Sequence, residues 1–486
     1  MAKLKISAAA AAAPGDVTLL LHAHAPFVRQ PGRDASGEEG LHGLIADSYA
    51  PLLAGVYDLT EAGTRVRLGL AISPILLEQL ADPVVQKHTV QTLETALARA
   101  EDRVQYHKSQ HDGHAAYLAE FYAQLHRRTL HVFERQFGRN LVAATRILAE
   151  AGVIEILADT ATHVVPQCVD RNTLRVQLEA GLISIMRHLK QHPTVLWAAD
   201  EPISRALVEL LPPLGLRGVV GTVDGQAASQ IHWLNAEKSV WALTPDARLL
   251  THLQSTTGYS GDTLYRAAAA AAFSDGTLAS NGAPYDPYHA YARTRLHTAH
   301  FAAVLAEWRD AQPTPLVLAC SLELFGSGWF EGGLWLRTVI EHLDQSPTLR
   351  LRRPSVVVAQ HPPTTHVHVP HTDDLVDGAL LSAAMRLRET VQDYPRAYGD
   401  REEVLNQAAR ELLLAQSGDW DRVPANDSAY AADRRRTHLA RLARLIELAE
   451  HEVLLPVAAQ EYAELKERDN PFPALNYRLF GSYEDR

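Results

Sequence analysis

The chain has 486 residues, of which 47% are hydrophobic and 21% charged, the makeup of a globular protein long enough for roughly two to four domains or one barrel with additions. Its net charge of -11 opposes a general phosphate-binding surface, so nucleic acid is excluded as an expected partner. Cys168 and Cys320 lie far apart and outside any CxxC, which supports neither a disulfide framework nor a cysteine-based zinc site and favours a reducing cytoplasm.

Residues 1–16 begin with two lysines and an alanine run that ends in Pro14-Gly15. The apolar stretch is weak for a signal peptide, and a disordered tail is expected. No run reaches the apolar length of a membrane-spanning helix, so no membrane association is expected. The first strand signal is VTLLL at 17–21, a continuous apolar run meeting His22 and His24. Such a run reads as a strand buried on both faces with function at its C-terminal end. Similar runs follow: RLGLAI before Ser73-Pro74, VIEIL at 153–157, TVLW at 194–197, GVVG at 218–221, PLVLAC ending at Cys320, and SVVV at 355–358. Helical periodicity between them predicts parallel pairing, in an α/β barrel or a doubly wound sheet. In both, chemistry collects at strand ends, where His22, His24, Trp197 and Ser321 fall.

The stretch from Glu78 to Glu150 is periodic and almost free of glycine and proline, which predicts a helical insertion over about 80–150. After Gly378 strand signals cease, and Leu439, Leu442, Leu445 and Ile446 make one helical apolar face. A helical domain is expected over 379–486, following a barrel over 17–378. Its arginines at 434, 435, 436, 441 and 444 read as a solvated face.

His22 and His24 share one face of a strand and admit three readings. They could converge on a metal, as in metal-dependent hydrolases with an HxH on their first strand, but the further ligands such a site needs are not evident beyond His163. They could be structural. The favoured reading is hydrogen bonding to the hydroxyls of a sugar-like substrate. Glu155, inside GVIEILADTATH, is flanked by apolar residues on both faces. A carboxylate there is costly unless used or paired, which makes it a functional candidate or a buried glutamate satisfied by a structural Arg or His.

LLLHAHAPFVRQPGR, ISPILLEQL, HAAYLAEFY, GVIEILADTATH, PYDP with HTAHF, LELFGSGWFEGGLWL, LLLAQSGDW and RDNPFPALNYRLF occur in this order over residues 17–480. In these segments the chain resembles the branching enzymes of glycoside hydrolase family 57. The resemblance implies an incomplete (β/α)7 barrel with a helical insertion and a C-terminal helical domain. It also implies a monomer that acts on α-1,4-glucan by a retaining mechanism, without metal or other cofactor. Retention needs two carboxyl groups about 5 to 5.5 Å apart, a nucleophile and an acid/base. The resemblance puts Glu155 at the nucleophile position and His22 and His24 at the donor-sugar subsite. Gln177, Trp241, Tyr259, Glu323, Trp329 and Trp420 match positions near the glucan cleft, where aromatic faces stack on pyranose rings.

The chain departs from the family pattern at the cleft. Ser321 stands where the general-acid aspartate is expected, and Asp200 replaces a glutamate in the run after Trp197. Gly40 replaces a tryptophan, Val164 a glycine, and DRVP follows Trp420 in place of further aromatic residues. Two readings of function follow: a glucan-active enzyme whose acid is Glu323 or Asp200, or a non-catalytic α-glucan-binding homologue. A metal-dependent hydrolase built on the HxH pair is a remote third.

Overall fold

The computed structural model describes residues 14–29, 37–200, 202–223, 228–267, 275–311, 315–369, 376–422, 428–451 and 453–481. Of the expected tail, residues 1–13 lie outside the described residues, and Gly15 and Asp16 already belong to the first strand. That earlier start has a local cause. The Asp16 carboxylate is buried and paired with Arg350, Arg352 and His361 from across the neighbouring segment, so the charge that looked like a tail residue is neutralised in place.

Strand β1 (Gly15–Ala23) sits centrally between β2 (Leu68–Ile72) and β8 (Leu316–Ser321), with β3 (Ile154–Leu157) beyond β2. A second sheet holds β4 (Val195–Trp197), β5 (Gly218–Val220) and β7 (Trp241–Thr244) in that order. These seven strands pair in parallel within each sheet. The sheets join where Ala158 donates to Val195 O at 2.8 Å and accepts from Trp197 N at 2.8 Å. On the other side, between β7 and β8, no ladder forms among the described residues. Only the Asp246 N–H to Val317 O contact of 2.8 Å and the Val317 N–H to Ser229 Oγ contact of 2.9 Å cross the seam. The barrel is therefore incomplete, in agreement with the expected α/β class.

The continuous apolar runs follow from this geometry, because a barrel strand is covered on both faces. Leu19 and Leu21 of β1 pack outward against the surrounding helices. Leu20 points inward with Ala71, Leu157, Val195, Val220 and Val317, which fill the interior. The barrel is closed below by the helix Pro354–Gln360, whose Val358 joins that inner cluster. Sequence periodicity assigns SVVV to a strand, and the structure corrects this. Pro354 presets the first helical turn, and the Ser355 N–H is accepted by the Glu155 carboxylate, so a supported N-terminus outweighs three β-branched residues.

The insertion begins with two long helices, Pro83–Ser109 and Gly113–His131, each opened by an aspartate cap: Asp82 accepts from Val84 N and Asp112 from Ala115 N. After the barrel come the helices Gly378–Asp393, Gly399–Ala415, Ser428–Ala449 and Pro456–Arg468. Their shared core, including Leu412 and Leu445, also takes in Phe27, Ile75, Ala161 and Val176 from the barrel side. Among the described residues no helix is long and apolar enough to cross a membrane.

Candidate active site

Period-two alternation along β1 turns Leu20 into the filled interior and brings His22 to the mouth above it. His22 Nε2 lies 2.9 Å from Asp159 Oδ2, and His163 Nδ1 reaches the same oxygen at 2.9 Å. Asp159 follows β3, and only 2% of it is exposed. Burial alone would raise its pKa, but His163 and His22 outweigh that and hold it well below the usual carboxylate range. His163 is in turn depressed to about 4, chiefly by burial and secondarily by the neighbouring imidazoles, against the opposing pull of Asp159. Its backbone sits at φ 50°, a left-handed conformation uncommon outside glycine.

Asp200 closes this cluster from the loop after β4. Its Oδ2 accepts from the Trp197 indole N–H at 2.7 Å and lies 3.5 Å from His163 Nε2 and 3.9 Å from His22 Nδ1. The Trp197 ring is stacked on His22, with centroids 5.0 Å apart and planes 12° from parallel. The Asp200 side chain is 44% exposed, against 3% for Asp159 and 15% for Asp419, so it is the aspartate of this group that an incoming substrate can reach.

His24 is held differently. Its Nδ1 lies 2.8 Å from Ser73 Oγ, and its Nε2 lies 2.8 Å from Oδ1 of Asp419, whose other oxygen accepts from Ser417. Burial would lower the His24 pKa, but the Asp419 carboxylate overrides it and leaves the ring above its ordinary value. A histidine raised in this way stabilises the fold most below about pH 6.5, and that contribution is lost as pH rises through its elevated folded pKa. Asp419→Asn is accordingly expected to lower the His24 pKa and to cost on the order of 3 kcal/mol at pH 6, with a smaller cost at alkaline pH. Imidazole titration by NMR and denaturation at the two pH values check this; an unchanged His24 titration contradicts the pairing.

The end of β8 completes the mouth. Ser321 is the ladder partner of His22. Its hydroxyl donates to Glu323 Oε2 and also accepts from Glu323 N–H. Glu323 Oε1 accepts from the His24 N–H at 2.9 Å and from the Tyr49 hydroxyl at 2.6 Å. Burial first, and then Glu323, push the Tyr49 hydroxyl well above its ordinary pKa, so it stays a donor. Both oxygens of Glu323 are thus taken up in fixing His24, Tyr49 and Ser321.

Of the residues read from sequence, His22, His24, His163, Trp197, Asp200, Ser321 and Glu323 therefore come together. Others do not. Glu155 is four residues before Asp159, about 13 Å lower along an extended chain. Its carboxylate accepts from Ser355 N–H at 3.2 Å and Ser355 Oγ at 2.7 Å, capping the helix beneath the barrel. Burial raises its pKa in part, and the Ser355 bonds oppose that. The nucleophile assignment to Glu155 is corrected on this geometry. Gln177 is fully buried, accepting from Thr162 N–H and donating to Thr162 Oγ1 and Gln416 Oε1, and so offers nothing to a cleft.

The expected aromatic groove is not formed. Trp241, Tyr259, Trp329 and Trp420 are only 9%, 6%, 3% and 8% exposed. Trp241 lies across Gly218, where a Cβ would sit 2.2 Å from its ring. Tyr259 bonds His300, Trp329 packs on Tyr265 and Trp335, and the Trp420 indole donates to Leu414 O. These rings serve the core. Asp159, Asp419, Ser73 and Tyr49 escaped sequence reading. Only Asp159 left a usable signal, since it follows the apolar run directly, where strand-end chemistry belongs.

The HxH pair does not converge on one point: its rings are stacked 6.0 Å apart and 5° from parallel, with different partners. His22, Asp159 and His163 do place one ligand atom each within 4.8 Å of one another. A cation there would have to displace the two hydrogen bonds that already join them, so this donor set fits a hydrogen-bonded triad better than a metal.

The model for Glycosyl hydrolase family 57 matches residues 18–370, and that for the 1,4-alpha-glucan branching enzyme C-terminal region matches residues 379–480. A 1,4-alpha-glucan branching enzyme of Thermococcus kodakarensis is 24% identical, over 94% of this chain and 77% of its own. A probable 1,4-alpha-glucan branching enzyme of Mycobacterium tuberculosis is 25% identical, over 89% of this chain and 92% of its own. Among solved structures, the family 57 type branching enzyme of Pyrococcus horikoshii superposes with a TM-score of 0.85 at 24% identity, covering 97% of this chain and 98% of its own. The alpha-amylase AmyC of Thermotoga maritima does so with 0.81 at 22% identity, covering 96% and 99%.

Proposed function

The chain belongs to glycosyl hydrolase family 57, and we propose that it acts on α-1,4-glucan in the manner of a branching enzyme, with Asp200 as the carboxylate that meets the anomeric carbon. The observation that supports this reading most is the setting of Asp200, solvent-accessible at the mouth and oriented by the Trp197 N–H. In a retaining transfer the Asp200 carboxylate attacks the anomeric carbon as the glycosidic oxygen departs with a proton from water at the open mouth, and an acceptor hydroxyl, giving its proton back to water, then displaces Asp200. His22 and His163, tied to Asp159, supply ring nitrogens around that carboxylate.

The second reading is an α-glucan-binding homologue without turnover, and the arrangement of Ser321 favours it. A hydroxyl takes the place of the acid, and Glu323, the carboxyl two residues on, is already tied to Ser321, Tyr49 and the His24 N–H. Purified protein mixed with amylose separates the readings from each other and from a misassigned substrate. Retention on an amylose matrix with loss of iodine stain over time supports transfer or hydrolysis. Retention with unchanged stain supports the binding homologue, and absence of retention removes glucan as the ligand. The barrel over 17–378 and the helical domain over 379–486 are proposed to act as one unit in this, because His24 takes its partner Asp419 from the latter.

A further inference from the structure

Away from the mouth, a cavity of about 280 Å³ lies between the helices Ala50–Glu61, Gly113–His131 and Gly332–Gln345. Its walls are mostly aliphatic, among them Leu52, Val56, Leu125 and Ile340, and Asp47 and Glu331 also line it. Arg128 and Arg337 also line it, each drawn toward Asp58 at 3.7 and 3.3 Å.

Two independent features say that this space is for a ligand. Gly55 stands in the interior of its helix, where glycine is destabilising relative to alanine, yet a Cβ there would meet nothing within 4 Å. The sequence thus leaves room open where a side chain would help the helix. Glu331, 1% exposed, gives the second feature. Its Oε1 accepts from Arg266 N–H at 3.0 Å and Tyr285 OH at 2.7 Å, whereas its Oε2 is buried with no hydrogen-bond partner among the described residues. A buried acceptor left unmatched is costly and calls for a donor. Burial pushes the Asp47 carboxyl up from its ordinary pKa, against the influence of Arg266 and His126.

We infer that this cavity binds a small aliphatic primary ammonium compound, its alkyl body between Gly55 and Ile340 and its nitrogen donating to Glu331 Oε2 and Asp47. An ammonium supplies three donors and a charge that two carboxyls can share, while a carboxylate of the same size would face them with like charge.

Calorimetric titration of the full chain with hexylammonium, hexanol and hexanoate at neutral pH tests this directly. Saturable one-to-one binding of hexylammonium is expected, at least about tenfold tighter than hexanol, with none for hexanoate. Glu331→Gln, which keeps the acceptor toward Tyr285, should weaken binding by about tenfold or more. Gly55→Leu should abolish it without loss of thermal stability, since leucine favours a helix and would enter empty space. If that variant does not fold, Gly333→Leu, whose Cβ likewise meets nothing within 4 Å, blocks the cavity from the opposite wall. No saturable hexylammonium binding, hexanol or hexanoate binding as well as hexylammonium, or undiminished binding in a folded blocking variant would each overturn the inference.

Discussion

Asp200→Ala is expected to lower glycosyl transfer from an activated donor such as maltosyl fluoride on the order of 10⁴-fold or more, the scale of loss when a member of a nucleophilic constellation is removed. Fluoride leaves without a proton, so this substrate isolates the carboxylate from the question of the acid. Two neighbours make the expectation specific. The Trp197 N–H directs one oxygen of Asp200, and Asp159 fixes the two imidazoles beside it. Glu155→Gln should leave transfer nearly unchanged, because the residue sits beneath the barrel. Glu155→Ala should lower global stability by about 1 to 2 kcal/mol through loss of the helix cap. Mass spectrometry of protein quenched during turnover identifies the labelled side chain. A glycosyl adduct on Glu155, or full activity in Asp200→Ala, sinks the assignment.

The second large effect concerns the acid. Ser321 is paired in the ladder with His22, so a longer carboxylic side chain there begins at the barrel mouth. If loss of the acid alone limits the reaction, Ser321→Asp should raise turnover of unactivated amylose by about 10² to 10⁴-fold while leaving the rate with maltosyl fluoride nearly constant. The new carboxyl would meet Glu323 where the serine hydroxyl now donates. Like charges in contact favour a shared proton, which raises one of the two pKa values and suits it to an acid's task. Iodine-stain assays on both proteins read this out. Equal gains on both substrates would point to a structural effect in place of a restored proton donor, and no gain with amylose binding intact would favour the non-catalytic homologue.

How far the sequence reaches can be seen at individual residues. Apolar runs revealed β1, β2, β3, β4, β5 and β8 because barrel strands are buried on both faces, and composition leaves that mark. SVVV misled because its helical state depends on Pro354 and on a carboxylate 200 residues earlier in the chain. Strands β6 (Gln230–Trp233) and β9 (Leu349–Leu351) are short and interrupted by polar or basic residues, and β7 is a four-residue WALT run, so no long run announces them. Within the site, HxH at a strand end was legible from periodicity alone. Glu155 attracts attention through its apolar flanks and through likeness of motif, neither of which tells the floor of a barrel from its mouth. The aromatic residues were placed by likeness of motif, and motif likeness carries no information on whether a ring faces solvent or core. Asp419 could not be found locally at all, since its role exists only through a contact spanning 395 residues.

That long contact bears on how the protein comes into being. Domains fold broadly in the order in which they leave the ribosome, and β1 emerges hundreds of residues before Asp419 does. Until the stretch containing Ser417 and Asp419 docks, His24 lacks its carboxylate partner, and Phe27, Ile75 and Val176 lack the helices that cover them. A nascent barrel is therefore unfinished at its mouth until that later segment has been made and has docked. A chain that terminates before Asp419 carries His24 without the carboxylate that raises its pKa.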